Sequence, residues 1–199
     1  MNSAVLPLFP LGDLVIFPGI SQEFYIFEPR YIQMIEHCLD SKGHFCFTTL
    51  IDDWQERYNS NPNLADYGCV CSIKEYTKHD DGRFTILVNG LYRTKVKEIP
   101  SEQLYRQSHT SPIEYIDDIT NSAEDNALVR NFIKRFLLKQ IQDASDETID
   151  SIIDDMELGK FFNILCFQSR ISVEKKIELL KENSLKEFFI QINRELDEN

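Results

Sequence analysis

Long hydrophobic runs are missing from this chain of 199 residues. None approaches the ~20 apolar residues that a membrane-spanning helix needs, so we expect no membrane partner. The N-terminus carries no positively charged segment, and Pro7 and Pro10 interrupt its first apolar run, which is unlike a secretory signal. The expected location is therefore the cytoplasm.

Positive charge is also scarce. Lys and Arg number 21 against 33 Asp and Glu, which gives a formal net charge of -12. A chain with this balance repels phosphate backbones, and no cluster of Lys and Arg provides a local exception. We therefore expect no nucleic acid partner.

Two kinds of catalytic motif are absent as well. The phosphate-binding pattern GxxxxGK[ST] occurs nowhere, which argues against ATP hydrolysis. A Ser-Lys peptidase needs a serine in a glycine-rich turn near a desolvated lysine. The one approximation, Ser41-Lys42-Gly43, is better explained as a helix end. We predict no catalytic residue, no cofactor and no enzymatic activity.

Histidine and cysteine do not add a metal or nucleophile site, and neither do the Asp pairs at 52–53, 80–81, 117–118 and 154–155, which are expected at solvated turns or helix surfaces. The five cysteines are odd in number and sit in apolar stretches, which predicts reduced, buried thiols rather than disulfides. Their spacing does not fit common zinc motifs, and alternate residues of a strand share one face. His37 and Cys38 are helix neighbours that point apart. The zinc candidates considered are Cys38, His44, Cys46, Cys69 and Cys71.

A specific local pattern of strands, turns and a helix start lies at residues 6–31, LPLFPLGDLVIFPGISQEFYIFEPRY. Turn-forming pairs separate three short apolar runs, which predicts strands at 6–11, 14–17 and 24–27. Pro29 suits the first turn of a helix, and the apolar spacing predicts that helix over residues 29–42.

Further strand signals follow up to residue 118. A strand is expected at 44–51, a polar loop at 52–66, and a hairpin of 67–78 with 83–89 around Asp81-Gly82. Two more strands are expected at 92–99 and 105–115. At least seven strands and one internal helix thus predict a mostly antiparallel β domain over residues 1–119.

Composition changes near residue 120, where helix-forming residues take over. Ser122 and Ser145 are typical of helix starts, and apolar stripes follow each of them. Four or five helices are expected over residues 120–199, with 158–167 the most buried. The predicted fold class is α+β, a β domain followed by an α-helical bundle.

The N-terminal stretch resembles the start of the Lon protease N-terminal, or substrate-binding, domain. Its opening LPLFPLG at 6–12, FPG at 17–19 and IFEPRY at 26–31 all match that family. Weaker matches are GCVCSI at 68–73, DGR at 81–83, VNGLYR at 88–93 and the segment 171–180. The resemblance implies that the β domain is a PUA-like barrel with one internal helix.

The resemblance also implies a function. Because both the phosphate-binding motif of an ATPase and the Ser-Lys motif of a peptidase are missing, we expect a stand-alone, non-catalytic module. It would bind unfolded polypeptide or dock onto a protease or chaperone. Its apolar contact area is expected beside the junction of strand and helix. The candidate peptide-binding residues are Phe17, Pro18, Tyr25, Glu28, Arg30 and Tyr31.

Alternatives remain open at this point. Glu28, Arg30 and Tyr31 are also explained as structural, with Glu28 complementing the helix end and Arg30 or Tyr31 packing over the barrel rim. Other classes are a small-molecule or RNA reader with a PUA-like barrel, and an unrecognised hydrolase. The sequence does not determine the oligomeric state or the partner.

Overall fold

The computed structural model describes residues 3–58, 60–141 and 145–197. The first part of the chain contributes β1 (Ala4–Leu11), β2 (Ser21–Ile26), α1 (Pro29–Leu39), β3 (His44–Leu50), α2 (Trp54–Arg57), β4 (Leu64–Lys78), β5 (Phe84–Ile99) and β6 (Gln107–Pro112). The second part contributes α3 (Ala123–Gln140), α4 (Asp146–Asp154), α5 (Leu158–Gln168), α6 (Val173–Lys181) and α7 (Leu185–Asp197). The predicted α+β class, strands first and helices after, is confirmed.

The strands form one sheet in the order β2-β5-β4-β3-β1-β6. All pairings are antiparallel except that of β1 with β3. Strand β6 pairs with β1 and also with the end of β5, so the sheet curls towards the barrel that the resemblance implied. Among the residues that the structure describes, β5 is the one strand that pairs with β2, which lies at an edge of the sheet.

Three of the predicted strands differ from the structure. Residues 14–17 are not a strand, because the turn at Asp13 (φ 58°) and the turn at Pro18-Gly19 (φ 82° at Gly19) leave too short an extended run between them. The predicted strands at 83–89 and 92–99 are one long strand, β5, with an irregular register opposite Val70 and Cys71. The described residues therefore contain six strands rather than the predicted seven or more.

The internal helix begins as predicted, with Pro29 in its first turn, and ends at Leu39. Gly43 follows with φ 70°, and its N–H donates to the Cys38 carbonyl over 2.8 Å. The predicted polar loop holds the short helix α2. Its Trp54 ring packs on Gly12, where a β-carbon would lie 2.1 Å from the ring.

Serine caps define three helices of the bundle. The Ser122, Ser145 and Ser172 hydroxyls each accept the backbone N–H three residues on, which supplies a partner that a helix start otherwise lacks. Helix α5 is buried on several sides, as its continuous apolar sequence predicted.

The helical core extends into the β region. Val15, Phe17 and Ile20, from the connection between β1 and β2, belong to the same buried cluster as the helices. The Phe17 ring lies 6.5 Å from that of Phe188 in α7. The last strand ends at Pro112, so the predicted boundary at residue 119 falls in the connection before α3. Ile119 itself is buried in this shared core.

Candidate polypeptide-binding surface

The junction between β2 and α1 carries a compact polar cluster. The Glu28 carboxylate accepts from Arg30 Nε over 3.0 Å and lies 2.8 Å from Arg30 Nη2. Its other oxygen accepts from the Tyr58 hydroxyl over 2.5 Å. Glu28 holds the N-cap position of α1, yet its side chain makes no capping hydrogen bond. Its charge is directed towards Arg30 rather than towards the helix end.

Arg30 lies between two aromatic rings. Its guanidinium carbon is 4.7 Å from the centre of the Tyr31 ring and 5.0 Å from that of Tyr58, both within cation–π range. Burial by itself would lower the pKa of Arg30, but Tyr31, Glu28 and Tyr58 together raise it. Burial and the hydrogen bond to Glu28 raise the pKa of Tyr58. The cluster therefore keeps Arg30 charged and Tyr58 protonated at neutral pH.

A cleft of about 360 Å³ opens over this cluster. Leu104, from the connection between β5 and β6, stands in its wall with 65% of its surface exposed. Pro29 and Leu104 supply apolar contact area in the cleft, and the charged groups beside them are mutually satisfied. The residues lining it are Glu28, Pro29, Arg30, Tyr58, Ser60 and Leu104.

Two exposed aromatic side chains lie next to the junction. Tyr25, at the end of β2, is 51% exposed and Phe27 is 59% exposed. Their rings stack with centres 6.4 Å apart, and Arg83 donates to the Tyr25 hydroxyl over 3.2 Å. Two neighbouring exposed rings are unusual on a polar protein surface and indicate a place for apolar contact.

Phe17 and Tyr31 do not belong to this surface. Phe17 is fully buried against the helices. Tyr31 is 4% exposed, donates its hydroxyl proton to the Pro10 carbonyl over 3.2 Å, and packs 4.7 Å from Phe9. Burial raises the pKa of Tyr31. Both predicted contact residues are corrected to core residues, because the apolar spacing of a short strand or helix does not say which face is covered.

Pro18 lies in another cleft, of about 530 Å³, between β5 and α5. One wall is a buried polar chain in which Asn163 donates to the Pro18 carbonyl over 3.3 Å and accepts from the Tyr115 hydroxyl. The Arg93 guanidinium stacks on the Tyr115 ring at 3.5 Å. Pro18 thus borders the joint between sheet and helices, apart from Glu28 and Arg30.

Sequence reasoning did not identify Phe27, Tyr58 or Leu104 as surface residues. For Phe27 a signal existed: it follows the buried Ile26, and alternation along a strand directs the two to opposite faces. Tyr58 and Leu104 come from irregular segments without periodicity, so only the fold brings them to Glu28.

The cysteines carry no accessible chemistry. All five are free and buried, and burial raises the pKa of Cys38 and of Cys166 to about 12. Cys69 and Cys71 lie in the same buried cluster, as predicted from their alternate spacing. Within residues 3–58, 60–141 and 145–197, no group of three or more His, Cys, Asp or Glu could hold a metal ion. The Ser41 hydroxyl donates to the Cys38 carbonyl over 2.9 Å at the end of α1.

Fold and surface together define an α+β protein whose curled sheet carries a helical bundle and a cleft beside exposed aromatic rings. The family model of the ATP-dependent protease La (LON) substrate-binding domain matches residues 5–197. The chain therefore belongs to the LON substrate-binding domain family. No helix among the described residues has the length and apolar character needed to cross a membrane.

Relatives and solved structures agree with this assignment. A Lon protease of Bacillus thuringiensis is 23% identical over 188 residues, covering 94% of this chain and 23% of the relative. A Lon protease of Rickettsia conorii is 26% identical over 194 residues, covering 92% and 25%. The chain thus spans about a quarter of the length of these relatives.

Two solved structures share the fold. The Lon N-terminal domain protein from Xanthomonas campestris superimposes with a TM-score of 0.70 at 21% identity, covering 96% of this chain and 98% of the other. The N-terminal domain of Mycobacterium avium complex Lon protease gives a TM-score of 0.68 at 14% identity, covering 96% and 97%. In both cases the matched region is the N-terminal domain.

Proposed function

We propose that this chain is a non-catalytic module that binds unfolded or partly folded polypeptide, with Tyr25, Phe27 and the Glu28–Arg30 cleft as its contact surface. The observation that carries the proposal is the pair of exposed, stacked rings beside a preformed cleft in a member of a substrate-binding family. Partners in proteolysis or quality control fit this role.

The chemistry of the cleft supports binding rather than catalysis. Glu28, Arg30 and Tyr58 satisfy one another, and the shifts of the Arg30 and Tyr58 pKa values hold each group in its ordinary protonation state. A general acid or base needs a pKa near the working pH. Apolar contact with little sequence preference is what an unfolded chain offers, because its apolar side chains are exposed.

Binding of reduced, carbamidomethylated α-lactalbumin, followed by fluorescence anisotropy, tests the proposal. We expect saturable binding at roughly tens of micromolar or tighter. Phe27→Ser should weaken binding about tenfold, since truncating a well-placed aromatic contact costs more than 1 kcal/mol. The matched control is Leu128→Ser on α3, because Leu128 is 57% exposed and lies in the helical part. Absence of saturable binding, or equal losses in both variants, would contradict the proposal.

The absence of enzymatic activity is a separate expectation. Casein incubated with the purified chain, with and without ATP, should stay intact, because the sequence has neither a phosphate-binding motif nor a Ser-Lys arrangement. Turnover in either arm would place the chain among hydrolases instead.

The expected location is the reducing cytoplasm, which suits buried cysteines that form no disulfide.

A further inference from the structure

Strand β2 has one edge without a partner. It pairs with β5 over Ser21–Ile26, and no other strand of the described residues pairs with it. The burial pattern alternates along β2, with Ser21, Glu23 and Tyr25 exposed. An unpaired strand edge is a row of backbone donors and acceptors that an extended polypeptide can complete.

The register identifies which backbone groups point outward. In an antiparallel pair, opposite residues alternate between hydrogen-bonded and non-hydrogen-bonded pairs. The Gly90 N–H donates to the Ile20 carbonyl, and the Gly90 carbonyl accepts from the Gly19 N–H, both over 2.9 Å, so the Ile20 carbonyl points towards β5. Every second residue along a strand repeats this direction, so the backbone groups of Gln22 and Phe24 face β5. The backbone groups of the alternate residues, Ser21, Glu23 and Tyr25, face away.

A second observation agrees with this assignment. The Gln22 side-chain amide donates to the Glu23 carbonyl oxygen over 3.0 Å, so that oxygen points away from the β2–β5 ladder. The same alternation places the N–H groups of Glu23 and Tyr25 on the side of β2 that faces away from β5. Three residues, Ser21, Glu23 and Tyr25, therefore direct their backbone groups outward.

We propose that β2 binds an extended segment of a client polypeptide by strand addition, through the outward backbone groups of Ser21, Glu23 and Tyr25. This inference rests on the proposed function and gives it a recognition mode. Main-chain hydrogen bonds explain how one surface accepts clients of different sequence. The Tyr25 and Phe27 rings, at the end of the same edge, supply apolar contact for the client's side chains.

Charge favours a foreign segment over a second copy of this chain. Glu23 occupies the middle of the edge and is exposed, and a charged residue there discourages edge-to-edge pairing. Two copies paired antiparallel through β2 would bring their Glu23 carboxylates close together, each on a chain of net charge -12. A client without an acidic residue at that position meets no such repulsion.

The test compares Glu23→Pro with Glu23→Ala. Both remove the same carboxylate, but only proline removes the outward N–H and obstructs the edge, while the bonds to β5 involve the neighbouring residues. The probe is a fluorescent peptide of alternating threonine and valine with terminal lysines. We expect Glu23→Pro to bind the peptide about tenfold or more weakly than Glu23→Ala does.

A second arm needs no variant. The same peptide, N-methylated at every residue, cannot donate a main-chain hydrogen bond and should not bind the parent protein, whereas methylation at alternate residues leaves one edge intact and should preserve binding. This arm decides the matter even if Glu23→Pro unfolds, which a thermal melt reveals.

The outcomes separate the two proposals. Equal binding by Glu23→Pro and Glu23→Ala, or binding of the fully methylated peptide, overturns strand addition; if α-lactalbumin still binds, the proposed function stands. If the parent binds neither the peptide nor α-lactalbumin, both fail. A parent dimer that Glu23→Pro converts to a monomer in sedimentation would show that the occupant is a second copy, and would also overturn the proposal.

Discussion

At the scale of single residues, Arg93 shows how a buried charge joins the two halves of the molecule. It is 1% exposed on β5, and its Nη1 donates to the carbonyls of Leu180 (3.0 Å) and Glu182 (2.5 Å) at the end of α6. Its guanidinium stacks on Tyr115. Burial lowers the pKa of Arg93, which the nearby Tyr115 and Glu182 partly oppose. The arginine thus caps a helix end across the joint.

Replacing Arg93 by methionine should lower the free energy of unfolding by about 2 kcal/mol, because two carbonyls lose a charged donor inside the joint. Arg93→Lys should also destabilise, since an ammonium cannot reproduce the planar fork and its stacking. Urea denaturation measures both. The control is Lys95→Met, an exposed residue on the same strand, expected within about 0.5 kcal/mol of the parent. A loss as large in Lys95→Met would contradict this role.

The sequence identified some of these residues in advance. The motif at 88–93 marked Arg93 through the family resemblance, and the pattern of residues 26–31 marked Glu28 and Arg30. What sequence could not give was the partner of each group. Glu28 pairs with Arg30 and Tyr58, the latter 30 residues away. Such hydrogen-bond partners depend on which distant segments of the chain come together in the fold. The spacing of residues within one segment does not encode this.

At the scale of elements, β5 and the β1–β2 connection approach each other closely at Gly90. A β-carbon on Gly90 would lie 2.3 Å from the Phe17 carbonyl oxygen, so no other residue fits without moving the backbone. Gly82, at the β4–β5 turn, has φ 84° but nothing within 4 Å of such a carbon. One glycine is required by packing and the other by backbone conformation.

Gly90→Ala should therefore cost about 3 kcal/mol of folding free energy, the upper range for overpacking. Gly82→Ala should cost about 1 kcal/mol, because the added methyl group meets no neighbouring atom and only the left-handed backbone conformation is strained. Chemical denaturation of both variants, compared with the parent, gives the two values. Equal costs would mean that the Phe17 carbonyl does not pass so close to β5.

The elements themselves were mostly predictable, because caps, turns and periodicity are local. Ser122 and Ser145 begin helices, Asp81-Gly82 turns a hairpin, and Pro29 opens α1, as predicted. The exceptions are residues 14–17 and the fusion of two runs into β5. Whether a short apolar run becomes a strand depends on finding a hydrogen-bonding partner, which is not a local property.

At the scale of the whole molecule, the helical core includes residues of the first part of the chain, while a second buried cluster lies within the β region. Phe17 lies between the sheet and α7, and Ile119 and the β1–β2 connection belong to the helical cluster. Ser184 donates to Asp118 over 2.5 Å across the joint, whereas Lys186 Nζ approaches Asp125 to 2.7 Å within the bundle. We expect the contacts of Phe17 and Asp118 to couple the unfolding of the bundle to that of the sheet.

We expect both parts to unfold in a single transition. Fluorescence of Trp54, the one tryptophan, reports on the β region, and far-UV circular dichroism at the helical band reports on the bundle. Phe17→Ala should shift both curves together, by about 3–5 kcal/mol, the usual cost of emptying a buried phenylalanine site. Separate midpoints for the two signals would show independent domains with a boundary at residue 119.

The sequence by itself determined the class of the protein, most helices and turns, the burial of the thiols and the family resemblance. All of these depend on local composition, spacing and motif. Only the tertiary structure decided that Phe17 and Tyr31 are core, that Tyr58 and Leu104 complete the Glu28–Arg30 cleft, and that β2 keeps a free edge. Long-range pairing and packing select which chemically suitable residues remain at the surface, and a surface exists only once the chain has folded.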